Sequence, residues 1–185
     1  MRKAANRALI IFMGIVAFAI SLYLDMPVNS FFNNLNFQIF DFILVVITNF
    51  AFVSAAVLLL PSIVLHKEPK KAMLFWITFI SSVILSFAIK LIVSRQRPEE
   101  ILSYPFIGAF NFSFPSMHTA VVFAALPLLI CFIPKQKTFW IFFAFLVAFT
   151  RIYFGFHFLS DVVFGGFFGY ILGGFIIDLH LREKI

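Results

Sequence analysis

Lys90, Arg97, Arg151 and Asp161 are ionisable residues at the edges of long apolar runs, where charge is otherwise sparse. Each belongs to a short polar motif. Lys90 stands with Arg97-Pro98, Pro115-Ser116-Met117-His118 follows, and Thr150-Arg151 leads to His157 and Asp161. Ionised side chains near a bilayer are costly, and those retained there usually serve function. Three cations, two imidazoles and a carboxylate are the groups needed to hold a phosphoryl group and move protons around it.

Taken singly, each motif also has a plain structural explanation. Lys90 and Arg97 would share a face if one helix carried both, but Ser94-Arg95-Gln96 and Pro98 mark a helix end nearby. A snorkelling lysine and a headgroup-binding arginine would satisfy the same pattern. Pro115 lies near a helix start, where Ser116 or Thr119 would cap. Free amides there bind phosphate oxygens well, so Ser116 and the Met117 amide would face an anion with His118 alongside. The plain alternative is a capped span start with a hydrogen-bonded histidine. In a helix, His157 and Asp161 stand at i and i+4, within side-chain reach. The carboxylate would hold one ring nitrogen and leave the other to attack. Arg151 offers a two-pronged fork to phosphate oxygens, or else pairs with Asp161 to close two helices. A catalytic metal is poorly supported, because His118 and His157 have no Cys or Glu cluster beside them.

The elements that must position these groups are membrane helices. The chain has 185 residues, 63% hydrophobic and only 12% charged, too little charge for a water-facing surface. Charge-free runs predict an all-α polytopic bundle of six spans, roughly 8–24, 42–65, 72–89, 119–133, 138–150 and 162–177. The whole of 1–185 is expected as one integral-membrane domain. The runs are continuous, which argues against a barrel. Arg2, Lys3 and Arg7 precede the first run as in a signal peptide, but no small-residue cleavage site follows, so it is read as a span. Of the fourteen basic residues, ten fall at the two termini and in the second and fourth connectors. The positive-inside rule then places both termini in the cytoplasm. The opposite side holds Lys90, Arg95, Arg97 and Arg151, so all three motifs emerge together on the outer face.

The remaining features carry less. The 30 Phe residues are assigned to helix packing and lipid contact, with no chemical role. Scattered basic residues form no stripe, which excludes nucleic acid as a partner. Cys131 is the single cysteine, so no internal disulfide forms, and it is read as a packed thiol. Residues 26–41 mix Asn and Phe without Lys or Arg and suit a segment lying at the interface. The Phe-rich connector 99–113 would form a lip over a headgroup. An ordinary outer loop explains either equally well.

The three motifs together resemble the signature of the type 2 phosphatidic acid phosphatase superfamily, which also includes vanadium haloperoxidases. That signature is Lys, six residues, Arg-Pro; then Pro-Ser-Gly-His; then Ser-Arg, five residues, His, three residues, Asp. Lys90, Arg97-Pro98, Pro115-Ser116, His118, Arg151, His157 and Asp161 match it. Two positions depart: Met117 replaces the glycine, keeping an amide but adding bulk, and Thr150 replaces the serine, keeping a hydroxyl.

The resemblance implies that His157 attacks phosphorus to form a phosphohistidine, with Asp161 orienting it. It implies that His118 first protonates the leaving oxygen and then activates water. Lys90, Arg97, Arg151, Ser116 and the Met117 amide would hold the phosphate oxygens. Phosphatases of the family need no metal, so no cofactor is expected. A site at the outer interface points to an amphiphilic lipid phosphate as substrate, among membrane lipids. The compact six-span form resembles bacterial members, which implies the inner membrane with the site facing outward. Lipid A is the first expectation; phosphatidylglycerol phosphate, phosphatidic acid and undecaprenyl pyrophosphate are the alternatives. Arg95 is a candidate contact for a headgroup or second phosphate. Rival uses are vanadate-dependent oxidation, expected in larger soluble proteins, and lipid binding or transport, which would set polar groups near mid-span.

Overall fold

Apolar side chains point both inward and outward in this protein, as expected of helices solvated by lipid. The computed structural model describes residues 2–33, 38–98 and 111–182, of which 2–8 and 38–41 are described as backbone only. Seven α-helices and no strand occur among them. They are α1 Arg2–Asn33, α2 Gln38–Thr48, α3 Phe50–Val64, α4 Pro69–Val93, α5 Met117–Phe132, α6 Lys137–Tyr153 and α7 Leu159–Arg182. A short 3-10 turn, Pro134–Gln136, joins α5 to α6.

Three helices are long and apolar enough to cross a bilayer alone: Leu9–Asn33 within α1, α4 and α7. The α2–α3 pair, bent by 59°, is a fourth if it acts as one span. The six-span expectation therefore goes beyond what length and composition give. Helix α5 has 16 residues, a rise of roughly 24 Å against a hydrocarbon layer of roughly 30 Å.

Helix boundaries differ from the expected runs in two informative places. The first helix extends to Asn33, past the expected end at Leu24. The second run, expected as one span, breaks at Asn49. Its side chain accepts hydrogen bonds from the amides of Ala51 and Phe52, at 2.9 and 3.3 Å, and so caps α3. Asn34, Asn36 and Phe37 of the first outer connector, and residues 99–110 of the expected lip, lie outside the described residues.

Helix α5 forms the centre. Val121, Val122, Leu128 and Leu129 are buried against Val53 and Val57 of α3, Phe75 of α4, and Trp140 and Val147 of α6. Opposite, α7 approaches α5 through glycines. A Cβ built on Gly165, Gly169 or Gly173 would lie 2.7, 2.2 or 2.0 Å from the carbonyl oxygens of Ser116, Ala120 and Ala124. Both sets repeat every four residues, so one face of α7 lies directly on the α5 backbone. Helix α1 closes over α7: Phe18 packs on Phe164 and Phe114, with ring centroids 5.5 and 5.9 Å away.

Candidate active site

Helix ends build the polar site. Helix α4 stops at Val93, where Ser94 adopts a left-handed conformation (φ 50°) and its amide bonds the Lys90 carbonyl. Lys90 is thus on the last turn, while Arg95 and Arg97 lie beyond it. Lys90 is buried, and its ammonium donates to the carbonyls of Phe112 and Ser113, at 2.5 and 3.3 Å. Arg97 donates from Nε to the Asn111 carbonyl (3.1 Å) and from Nη1 to the Phe156 carbonyl (3.0 Å). Both cations therefore fasten the 111–116 segment and the α6–α7 connector onto the end of α4.

Ser116 occupies the N-cap of α5, but its hydroxyl meets the Thr119 hydroxyl at 3.0 Å and caps no amide. The Ser116 amide donates to the Asp161 carbonyl (3.1 Å), tying the starts of α5 and α7 together. Helix geometry leaves the amides of Met117, His118 and Thr119 without intrahelical acceptors. The Met117 side chain is buried in the apolar core, so its bulk is directed into helix packing. The Thr150 hydroxyl bonds back to the Val147 carbonyl at 2.7 Å.

His157 and Asp161 meet, but not along one helix as expected. Helix α6 ends at Tyr153, Gly155 takes φ 64°, and His157 sits in the connector before α7. The chain turns back there because glycine tolerates that conformation. Asp161 is at the third position of α7, and its Oδ2 accepts the Phe158 amide at 2.9 Å, as the acidic member of a capping box does. His157 Nδ1 lies 3.6 Å from the same Oδ2, an ion-pair approach longer than a hydrogen bond. Ser113 also donates its hydroxyl to that oxygen. Burial first, and then the Arg151 charge, hold the His157 imidazole well below its ordinary pKa of 6.5. A neutral ring keeps a lone pair for attack.

Arg151 is buried at the C-terminal end of α6. It donates to the hydroxyl and carbonyl of Thr48, the last residue of α2. Its guanidinium lies 4.5 Å from the Phe156 ring centroid. The break at Asn49 thus serves the site twice: Thr48 receives Arg151, and Phe50 sets its ring 4.9 Å from His118, edge to face. His118 is within electrostatic reach of Arg151, His157, Arg97 and Lys90.

The guanidinium of Arg95, the candidate headgroup contact, bridges two carboxylates, Asp161 Oδ1 at 2.9 Å and Asp25 Oδ2 at 2.7 Å, and stacks 4.0 Å from the Phe158 ring centroid. Residues absent from the sequence-based set are Asp25, Thr48, Asn49, Phe50, Ser113, Phe156, Phe158 and Ser160. Two had a signal: Asp25 is the first acid of the chain, and Asn49 interrupts an apolar run. Beside the site, an apolar groove of about 690 Å³ runs between α1, α5, α6 and α7. Its near end is formed by Thr119, Ile152, Leu159 and Val162, neighbours of the polar residues, and its lining extends to Ile130 and Tyr170.

Known proteins share this fold. The chain is similar in structure to the first transmembrane PAP2 type phosphatidylglycerolphosphate phosphatase from Bacillus subtilis, at TM-score 0.75 and 18% identity over 96% of each chain. It is similar also to Aquifex aeolicus LpxE, at TM-score 0.69 and 25% identity over 84% of this chain and 95% of that one. Comparison with curated protein sequences finds no match. Residues 71–184 match the family model described as PAP2 superfamily, and they include every residue of the three motifs. The chain belongs to the PAP2 superfamily.

Proposed function

We propose that this membrane phosphatase removes phosphate from a lipid of the bacterial envelope, such as lipid A, through a phosphohistidine on His157. The observation that carries the reading is that separate segments converge: Lys90 and Asp161 meet at Ser113, Arg97 holds the connector that bears His157, and the Thr48–Phe50 turn takes Arg151 and His118. In the first step a ring nitrogen of His157 attacks phosphorus with its lone pair. The bond to the lipid oxygen breaks, and protonated His118 gives that oxygen its proton. Asp161 approaches Nδ1 and stabilises the ring as it becomes positive. Neutral His118 then takes a proton from water, the resulting hydroxide attacks phosphorus, and the P–N bond breaks to restore His157. Lys90, Arg97, Arg151, Ser116 and the Met117 amide stabilise the charge on the phosphoryl oxygens.

The groove beside Thr119 and Leu159 supports a lipid rather than a soluble phosphate, because it offers an apolar path to an acyl chain within reach of the polar end. Arg95 is paired with Asp25 and Asp161, and those pairs favour no one headgroup over another. Phosphatidylglycerol phosphate, phosphatidic acid and undecaprenyl pyrophosphate are therefore the comparison substrates. Six membrane passes with both termini cytoplasmic are part of the proposal, with the site at the outer face of the inner membrane. The distribution of Lys and Arg supports that orientation.

Phosphate release from a panel of purified lipid phosphates tests the reading, with His157→Ala and His118→Ala proteins as controls and EDTA in a parallel series. Release by the unaltered protein, lost in both variants and indifferent to EDTA, is expected. Lipid binding without release would favour a carrier, and inhibition by EDTA reversed by added metal would overturn the metal-free mechanism.

A further inference from the structure

Asp25 lies well inside α1, a helix apolar enough to cross the membrane, and the residue is buried at 4% exposure. A carboxylate in such a place is expensive unless it is fully bonded. Its bonds run to the site. Oδ1 accepts the Ser160 amide at 2.8 Å, and Oδ2 accepts the Ser160 hydroxyl at 2.6 Å and Arg95 Nη2 at 2.7 Å. Ser160 is the second residue of α7, so Asp25 caps that helix from another helix and places an anion at its positive end. Arg95 in turn donates from Nη1 to the Ser160 hydroxyl (2.7 Å) and to Asp161 Oδ1 (2.9 Å). Every route leads to the residue beside Asp161 or to Asp161 itself. The family model begins at residue 71, so α1 lies outside the part that carries the signature.

We infer that Asp25 is a positioning residue for the hydrolysis proposed above: through Arg95 and Ser160 it fixes the first turn of α7 so that Asp161 faces His157. The role is separable from holding α1 in place. Phe18 on Phe164 and Gly14 against Phe167 already join α1 to α7 through apolar contact. Removing the Asp25 charge therefore leaves the helices assembled and frees Arg95 and the α7 start to shift. Small misplacements of catalytic groups cost as much as roughly 100-fold in rate.

The test compares Asp25→Asn, Asp25→Glu, Ser160→Ala, Arg95→Ala and the Asp25→Asn/Arg95→Ala double variant, with rates expressed per folded protein. Asp25→Asn is expected to lower kcat by roughly 10- to 100-fold with KM within about twofold. Asp25→Glu should restore part of the loss, and Ser160→Ala, which keeps the amide bond, should lose less. The double variant should be little worse than Arg95→Ala, since the two act in one chain. Unchanged kcat with only a lower melting temperature, or fully independent losses, would overturn the inference. A second readout needs no turnover: the ring nitrogen signals of His157 in selectively 15N-histidine-labelled protein. They should move in Asp25→Asn and in Ser160→Ala, and unchanged signals in both would overturn the inference. Moved signals in a protein that hydrolyses no lipid phosphate would leave the positioning role standing and remove the proposed function instead.

Discussion

Gly169 of α7 rests against Ala120 of α5, so close that a Cβ on the glycine would stand 2.2 Å from the Ala120 carbonyl oxygen. This contact sets the spacing of the two helices whose first turns carry His118 and Asp161. Gly169→Ala should therefore push α5 from α7 and cost about 1–3 kcal/mol of stability, as overpacking does, with activity falling alongside. Gly174, where nothing lies within 4 Å of a built Cβ, is the control. Gly174→Ala should be neutral or mildly stabilising. Melting temperatures in detergent, read with phosphate release, check both.

Arg151 is held by Thr48 and Phe156 in a way that depends on a flat, forked cation. Arg151→Lys keeps the charge but cannot stack and bridge at once. A loss of roughly 100- to 1000-fold in kcat/KM is expected, the scale seen when one donor to a developing oxyanion is removed. Steady-state kinetics of the purified variant gives the answer, and a loss under about threefold would mean that charge alone suffices.

The depressed pKa of His157 has a consequence for stability. The folded protein takes up a proton at His157 only well below pH 6.5, whereas the unfolded chain takes it up near 6.5. Below that pH the unfolded state binds more protons, so stability falls as the solution is acidified from about pH 7.5 to 5.5. His157→Gln removes that contribution. The fall in melting temperature across this window should be smaller in the variant than in the unaltered protein.

Legibility in the sequence followed chemistry more closely than geometry. Lys90, Arg97, His118, Arg151, His157 and Asp161 stand out as candidates because charge and imidazole beside apolar runs are rare, and Ser116 because it follows Pro115 at a helix start. Their spacing along the chain did not reveal how they meet. His157 and Asp161 come together across a connector and a helix start, because Gly155 turns the chain, and the i, i+4 pattern alone would have placed both on one helix. The break at Asn49 left only a faint mark, the pair Thr48-Asn49 within a stretch otherwise as apolar as any span. Asp25 and Arg95 are hard to pair for a related reason: an acid near the end of an apolar run is a usual flank of a membrane span, and Arg95 reads as an outer cation open to a headgroup. Their partnership is made over 70 positions of sequence, through packing of α1 on α7, which no local pattern encodes.

The covalent state of His157 during turnover is the most direct measurement. The unaltered and His118→Ala proteins are mixed with 32P-labelled lipid phosphate, stopped in alkali and digested. A base-stable, acid-labile phosphoryl group on the peptide containing His157, persisting longer when His118 is absent, is the predicted result. Steady phosphate release with no label on His157 at any time, or turnover retained in His157→Ala, would contradict it.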